Sequence, residues 1–171
     1  MRQFWEKNNE RIITIVAMIL VGTGMHFVCD IFPQPQAVRV LGVLFPVNET
    51  LWEHMKLLWY PFLGAGVVLF VKKRDAGYFG GFVLGGIAAV LLIIGAFAFY
   101  QSFTQTSVLA VDISLYVVDI VVCAMLAFLL AAQPWCRRAP VVWIVLAVIV
   151  TAAVIYLTYH PATGYVFRDG D

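Results

Sequence analysis

YFGGFVLGGIAAVLLIIGAFAFY, residues 78–100, decides how the rest of the chain is read. It carries no charged side chain. As a helix rising 1.5 Å per residue it would extend about 35 Å, more than the roughly 30 Å hydrocarbon core of a bilayer. A soluble domain would have to bury every side of such a helix, whereas a membrane solvates it as it stands. The same reading applies four more times, from about Ile12 to Ile31, Glu49 to Val71, Val108 to Ala132 and Val141 to Tyr159. The breaks are KKRDAG at 72–77, QSFTQTS at 101–107 and QPWCRRAP at 133–140. Pro33 to Pro46 is apolar but too short to cross, and reads as an interfacial or re-entrant piece from which Arg39 snorkels. The sequence therefore predicts an all-α polytopic membrane protein. Residues 1–171 form a single transmembrane domain, a bundle of about five transmembrane helices with a short interfacial segment between the first two.

Composition agrees. Hydrophobic residues make up 63% of the chain and charged ones 12%, against roughly 25% charged in a soluble domain, and the mean hydropathy is +0.92. The basic residues fall in short clusters between apolar runs, which argues against a nucleic-acid partner and for membrane lipid. Cys29, Cys123 and Cys136 are odd in number and lack a CxxC pair, so they read as packing residues. A basic start before an apolar run is also the pattern of a secretory signal. No small-residue cleavage pattern stands between Gly24 and Cys29, however, and the first stretch is read as a membrane helix.

Orientation follows from the short loops. Arg2, Lys7, Arg11, Lys72, Lys73, Arg74, Arg137 and Arg138 fall on one side, and Arg39, Lys56 and Arg168 on the other. The expectation is a multi-pass plasma-membrane protein with its N-terminus cytoplasmic and its C-terminus outside. Trp59, Trp135, Trp143, Tyr100, Tyr156 and Tyr159 lie near the ends of the stretches, as an aromatic belt would.

Depth then sorts the ionisable residues. His26 and Asp30 lie at the outer end of the first helix, Asn48, Glu49, Glu53, His54 and Lys56 at the outer start of the second, Asp112 and the deeper Asp119 on the fourth, and His160 at the end of the fifth. A charge at a helix centre costs about 2.5–3.5 kcal/mol even on lenient insertion scales, so these groups must find partners. His26 with Asp30, Glu49 with Glu53, and Asp112 with Tyr116 and Asp119 share helix faces, each expected to look into the bundle. Imidazole and carboxylate together are the ligands of a divalent metal such as zinc or iron. In the leading reading His26, Asp30 and His54 are metal ligands, with Asp30 or Asp112 a further ligand or an orienter of one; Glu53 is the general base, and Glu49 and Asp112 belong with it to the catalytic set. Trp52, Lys56, Tyr116, Asp119, Asn48 and His160 wall the pocket. The activity expected is a metal-dependent hydrolase acting on a lipid or small membrane-resident substrate. The other reading is a non-catalytic protein that binds or moves a small ligand or ion, with the same charges as gating pairs.

A plain helix start explains part of PVNETLWEHMKLLWYP, residues 46–61: Asn48 is a suitable N-cap, and Glu49 and Glu53 suit the helix dipole. His54, Lys56 and two tryptophans are not explained so. Pro61 should kink the helix below them. HFVCD at 26–30, FPVNETLWEHMKLLWYP at 45–61 and YHPATGYVFRD at 159–169 together resemble a family of small prokaryotic polytopic membrane proteins classed as a domain of unknown function. The resemblance implies a helical membrane protein and no particular activity. The histidine and acid set is also similar to that of intramembrane zinc hydrolases related to alkaline ceramidases. The chain departs from those in helix number and lacks their Ser-xxx-His and HxxxH motifs. Finally, Gly81 and Gly85, extended by Gly77, Gly80 and Gly86, form a GxxxG face that predicts close approach to a neighbouring helix or a homo-oligomer through the third helix.

Overall fold

The computed structural model describes residues 2–32, 34–104 and 106–168, with side chains described from residue 8. Pro33, Asp169 and the side chains of Arg2 and Lys7, which entered the sequence reading, lie outside that set. Five helical spans are long and apolar enough to cross a membrane: Asn8–Ile31, Leu51–Lys73, Ala76–Thr104, Leu109–Ala131 and Pro140–Tyr159. The expected spans agree with these to within a few residues, and there is no β-strand among the described residues.

The first span is α1 (Arg2–His26) followed by the single turn α2 (Val28–Ile31), interrupted at Phe27. A short helix α3 (Pro35–Leu41) forms the interfacial segment, with Pro35 at its first turn, where the missing N–H is not needed. The second span is α4 (Leu51–His54) and α5 (Lys56–Lys73), joined through Met55. Then come α6 (Ala76–Thr104), α7 (Leu109–Ala131), α8 (Pro134–Arg138) and α9 (Pro140–Tyr159), and a 3-10 turn at Tyr165–Phe167.

Helix α6 is central, packed against α5, α7, α8 and α9, while α1 lies against α5 and α7. Its glycines set that arrangement. A Cβ at Gly81 would come within 2.5 Å of the Ala127 carbonyl oxygen, and one at Gly85 within 2.7 Å of the Ala127 Cβ, so α6 and α7 meet backbone to backbone. Trp143 of α9 covers Gly80, and Phe62 and Trp59 of α5 cover Gly86. The glycine face is thus covered by the chain's own helices. Phe62, Phe82 and Phe128 fill the centre, with Phe82 and Phe128 edge to face at 5.1 Å.

Two belt assignments change. Trp59 is fully buried and donates to Thr151 of α9 at 3.0 Å, and Trp143 donates to the Cys136 carbonyl at 2.7 Å. Both are bundle residues, because each indole N–H finds a partner on its own chain. Trp135, Tyr156 and Tyr159 are exposed, as a belt requires. Pro61 leaves α5 continuous. The Leu57 carbonyl that it cannot bond points at Gly22 of α1, where a Cβ would stand 2.5 Å away. Gly22 is therefore needed for α1 to pass this point.

The two ends of the bundle differ. At one, Glu10 pairs with Lys72 and Lys73 at 2.8 and 2.7 Å, and Asp75 with Arg137 at 3.1 Å. At the other lie all three histidines. These ends are called the basic face and the histidine face.

Candidate metal centre

Local capping makes the histidine face. Asn48 is not the N-cap of the second span; Thr50 is, in extended conformation, with its Oγ1 accepting from the Glu53 N–H at 3.3 Å. Asn48 supports it from before the helix, its Oδ1 accepting from both the Thr50 N–H and the Thr50 hydroxyl. The shift of two residues puts Glu49 outside the helix and Glu53 in its first turn. The two carboxylates, expected on one stripe, face different environments.

Glu53 turns inward and is 2% exposed. Its Oε2 accepts from Lys56 Nζ at 2.6 Å and from the Val47 N–H at 3.0 Å, and its Oε1 accepts from the Thr158 hydroxyl of α9 at 2.9 Å. Lys56, fully buried, also donates to the carbonyls of Gly42 at 2.7 Å and Phe45 at 3.3 Å. Tyr60 donates to Val43 at 2.6 Å and Tyr159 to Arg39 at 2.5 Å. Every polar atom of the ion pair is committed to holding the 39–47 segment on α5 and α9. Such a carboxylate is an anchor: a general base needs a lone pair facing its substrate.

Glu49 turns outward, its side chain 67% exposed, and its Oε2 lies 3.5 Å from Nε2 of half-buried His54. The other nitrogen of that ring, Nδ1, is 2.8 Å from the Thr50 carbonyl. A carbonyl only accepts, so Nδ1 carries a proton and Nε2 is the nitrogen that faces the carboxylate. His26, at the end of α1, presents its ring edge to face with His54 at 5.0 Å. Ligand atoms of His26, Glu49 and His54 all lie within 4.8 Å of one another. In a tetrahedral site with bonds near 2.1 Å, ligand atoms stand about 3.4 Å apart. The Glu49–His54 pair already has that spacing, and bringing in His26 asks for about 1.4 Å at most.

Other expected members lie elsewhere. Asp30 is exposed on α2 and outside the three-residue group, since the break at Phe27 ends the regular register between it and His26. Asp112 accepts from the Ser107 hydroxyl at the start of α7. Burial, with Asp112 close by, holds the Tyr165 phenol above its ordinary range. The Tyr116 hydroxyl donates to the Ile19 carbonyl of α1 at 3.3 Å, over Gly22. Asp119 is buried, with one oxygen accepting from the Cys123 thiol at 3.3 Å and the other without a protein partner. His160 is exposed and stacked on Tyr156, and Trp52 stacks on Phe167 of the C-terminal tail.

Sequence reasoning overlooked Thr50, whose carbonyl orients His54. The spacing Thr50-x-x-Glu53 was a usable signal, because it is the sequence signature of a capping box, of which the structure forms the Thr50 half. Thr158 and the Val47 N–H carried none. No curated protein and no solved structure matches the chain. A family model described as a family of unknown function, DUF6512, matches residues 1–170, and the chain belongs to that family.

Proposed function

We propose that this is a multi-pass plasma-membrane protein whose His26, Glu49 and His54 hold a divalent metal ion, zinc foremost, for hydrolysis of a lipid or other membrane-resident substrate. One observation carries the reading: His54 has its Nδ1 proton fixed on the Thr50 carbonyl and its Nε2 aimed at a carboxylate 3.5 Å away. Two acceptors hold that position with a cation between them. A proton would satisfy the pair alone, but the third ligand atom of His26 in the same space favours a metal. A hydrogen bond on the far nitrogen is also how ligating histidines are held in general. Two imidazoles and one carboxylate, open to solvent on the Glu49 side, match the three-ligand pattern of hydrolytic zinc sites. A bound ion would supply Lewis acidity there. The chain's own contributions are the Thr50 cap, which sets the His54 ring, and the Glu53–Lys56 anchor, which fixes the segment leading to Glu49.

Orientation rests on the basic face. Lys72, Lys73 and Arg137 lie there and favour the cytoplasm, with the histidine face and the C-terminus outside. A second reading has its own observation: both Asp112 and Asp119 of α7 keep one buried oxygen without a protein partner. That polar stripe suits ion or proton binding without catalysis.

The test is metal content and zinc titration of detergent-purified protein, followed by hydrolysis of ester- and amide-linked lipids in mixed micelles. About one equivalent of zinc, lost in His26→Ala and His54→Ala together with hydrolysis, is the expected result. Unchanged zinc in both variants would sink the metal reading. Zinc binding without hydrolysis, alongside ion uptake abolished by Asp119→Asn, would favour the second.

A further inference from the structure

Between α1 and α5 runs a groove of about 910 Å³. That is the size of a site for a small ligand rather than a packing defect. Its walls include Ile13, Ala17, Val21, Gly64 and Val68, all apolar. Ile13, Val21 and Val68 are 67%, 53% and 63% exposed, so the groove opens sideways toward the bilayer. Tyr60 and Val21 stand at one end, and Glu10, Lys72 and Lys73 at the basic face. Tyr60 and Lys73 belong to one helix, which makes the groove about 20 Å long, longer than one leaflet's half of a roughly 30 Å core.

The polar end is not neutral. Two ammonium groups share the single carboxylate of Glu10, leaving one positive charge in excess. The Lys72 and Lys73 side chains are 62% and 36% exposed. Each ammonium has three donors, so both retain some for a further acceptor. Gly64 makes the room below: a Cβ there would meet nothing within 4 Å.

We infer that this groove is a binding site for an anionic phospholipid, one acyl chain lying between α1 and α5 and the phosphate at Lys72 and Lys73. The bilayer supplies the occupant, since a molecule with an apolar chain and a headgroup at this depth is what surrounds the groove. The excess positive charge selects the anion among such molecules. The site is independent of the metal centre, and the two stand or fall separately.

Native mass spectrometry of the full chain with phosphatidylglycerol and phosphatidylcholine of identical acyl chains tests it. Wild type should hold one phosphatidylglycerol about fivefold more tightly than phosphatidylcholine, the discrimination expected of one basic charge near a headgroup. Glu10→Gln, which raises the excess charge, should increase that preference, and the triple variant Glu10→Gln/Lys72→Gln/Lys73→Gln should abolish it. Gly64→Leu puts bulk into the groove at a position where the Cβ itself meets nothing within 4 Å. It should weaken both adducts about tenfold while the elution profile and zinc content stay as in wild type. Equal retention of the two lipids by wild type would overturn the inference, as would an undiminished phosphatidylglycerol adduct in Gly64→Leu. A dimer that Gly64→Leu converts to monomer would overturn it too, by making the groove a subunit contact.

Discussion

Glu49 and Glu53 are the same residue type four positions apart, yet they build two unlike regions. Around Glu53 everything is closed: a carboxylate 2% exposed, an ammonium fully buried, and each oxygen bonded within the chain. Around Glu49 the surroundings are open, with a carboxylate two-thirds exposed and a half-buried histidine nitrogen 3.5 Å from it. The difference is made by Thr50, whose cap leaves one glutamate outside the helix and turns the other inside. Burial makes the first region a structural anchor, and exposure leaves the second free to bind.

The largest expected effect lies at Glu53. Glu53→Gln leaves the Lys56 ammonium buried without its counter-charge, and should destabilise the fold by about 3–5 kcal/mol in detergent unfolding measurements. The double variant Glu53→Leu/Lys56→Met should recover only part of that loss, because it removes the buried charges but leaves the Val47 N–H and the Gly42 carbonyl without these partners. Unfolding of Glu53→Gln at the wild-type midpoint would mean the pair anchors nothing. His54→Ala should act oppositely. Zinc affinity, read by titration calorimetry, should fall at least about 100-fold, since loss of an outer-shell partner alone costs roughly 10- to 100-fold. Its unfolding midpoint in chelator should stay near wild type, because the ring is only partly buried and belongs to neither core cluster. Thr50→Ala touches both regions and should cost about 1 kcal/mol of stability through the lost cap, with a parallel weakening of zinc binding. The smallest effect belongs to Glu10→Gln at the basic face, where partly exposed pairs contribute about 0–1 kcal/mol, detectable as a shift in unfolding midpoint.

How much of this was readable beforehand differs between fold and site. The five spans follow from apolar length, a property of each segment alone, and so were legible to within a few residues. His26 and His54 were legible as a pair because their helix ends had to share a face of the membrane. The i, i+4 spacing of Asp30 from His26 and of Glu53 from Glu49 implies shared helix faces only where the helix is unbroken. The Phe27 interruption and the Thr50 cap each reset the register locally. Trp59 and Trp143 read as interfacial because they lie near segment ends. Thr151 and the Cys136 carbonyl, which satisfy them inside the bundle, are distant or backbone partners that no pattern announces.

By itself the sequence determined that the chain crosses a membrane as helices, which face carries its histidines, and that small residues line the third span. Those conclusions depend on solvent transfer and on periodicity within a segment, which act before any two helices meet. Only the tertiary structure decided that the glycines serve α7, α5 and α9 of the same chain. It alone decided that Glu53 and Lys56 are spent on an anchor and that Glu49 is free beside His54. The reason is that a polar group's role depends on which lone pairs and protons remain unpaired after packing, and packing brings together residues as far apart as Glu53 and Thr158.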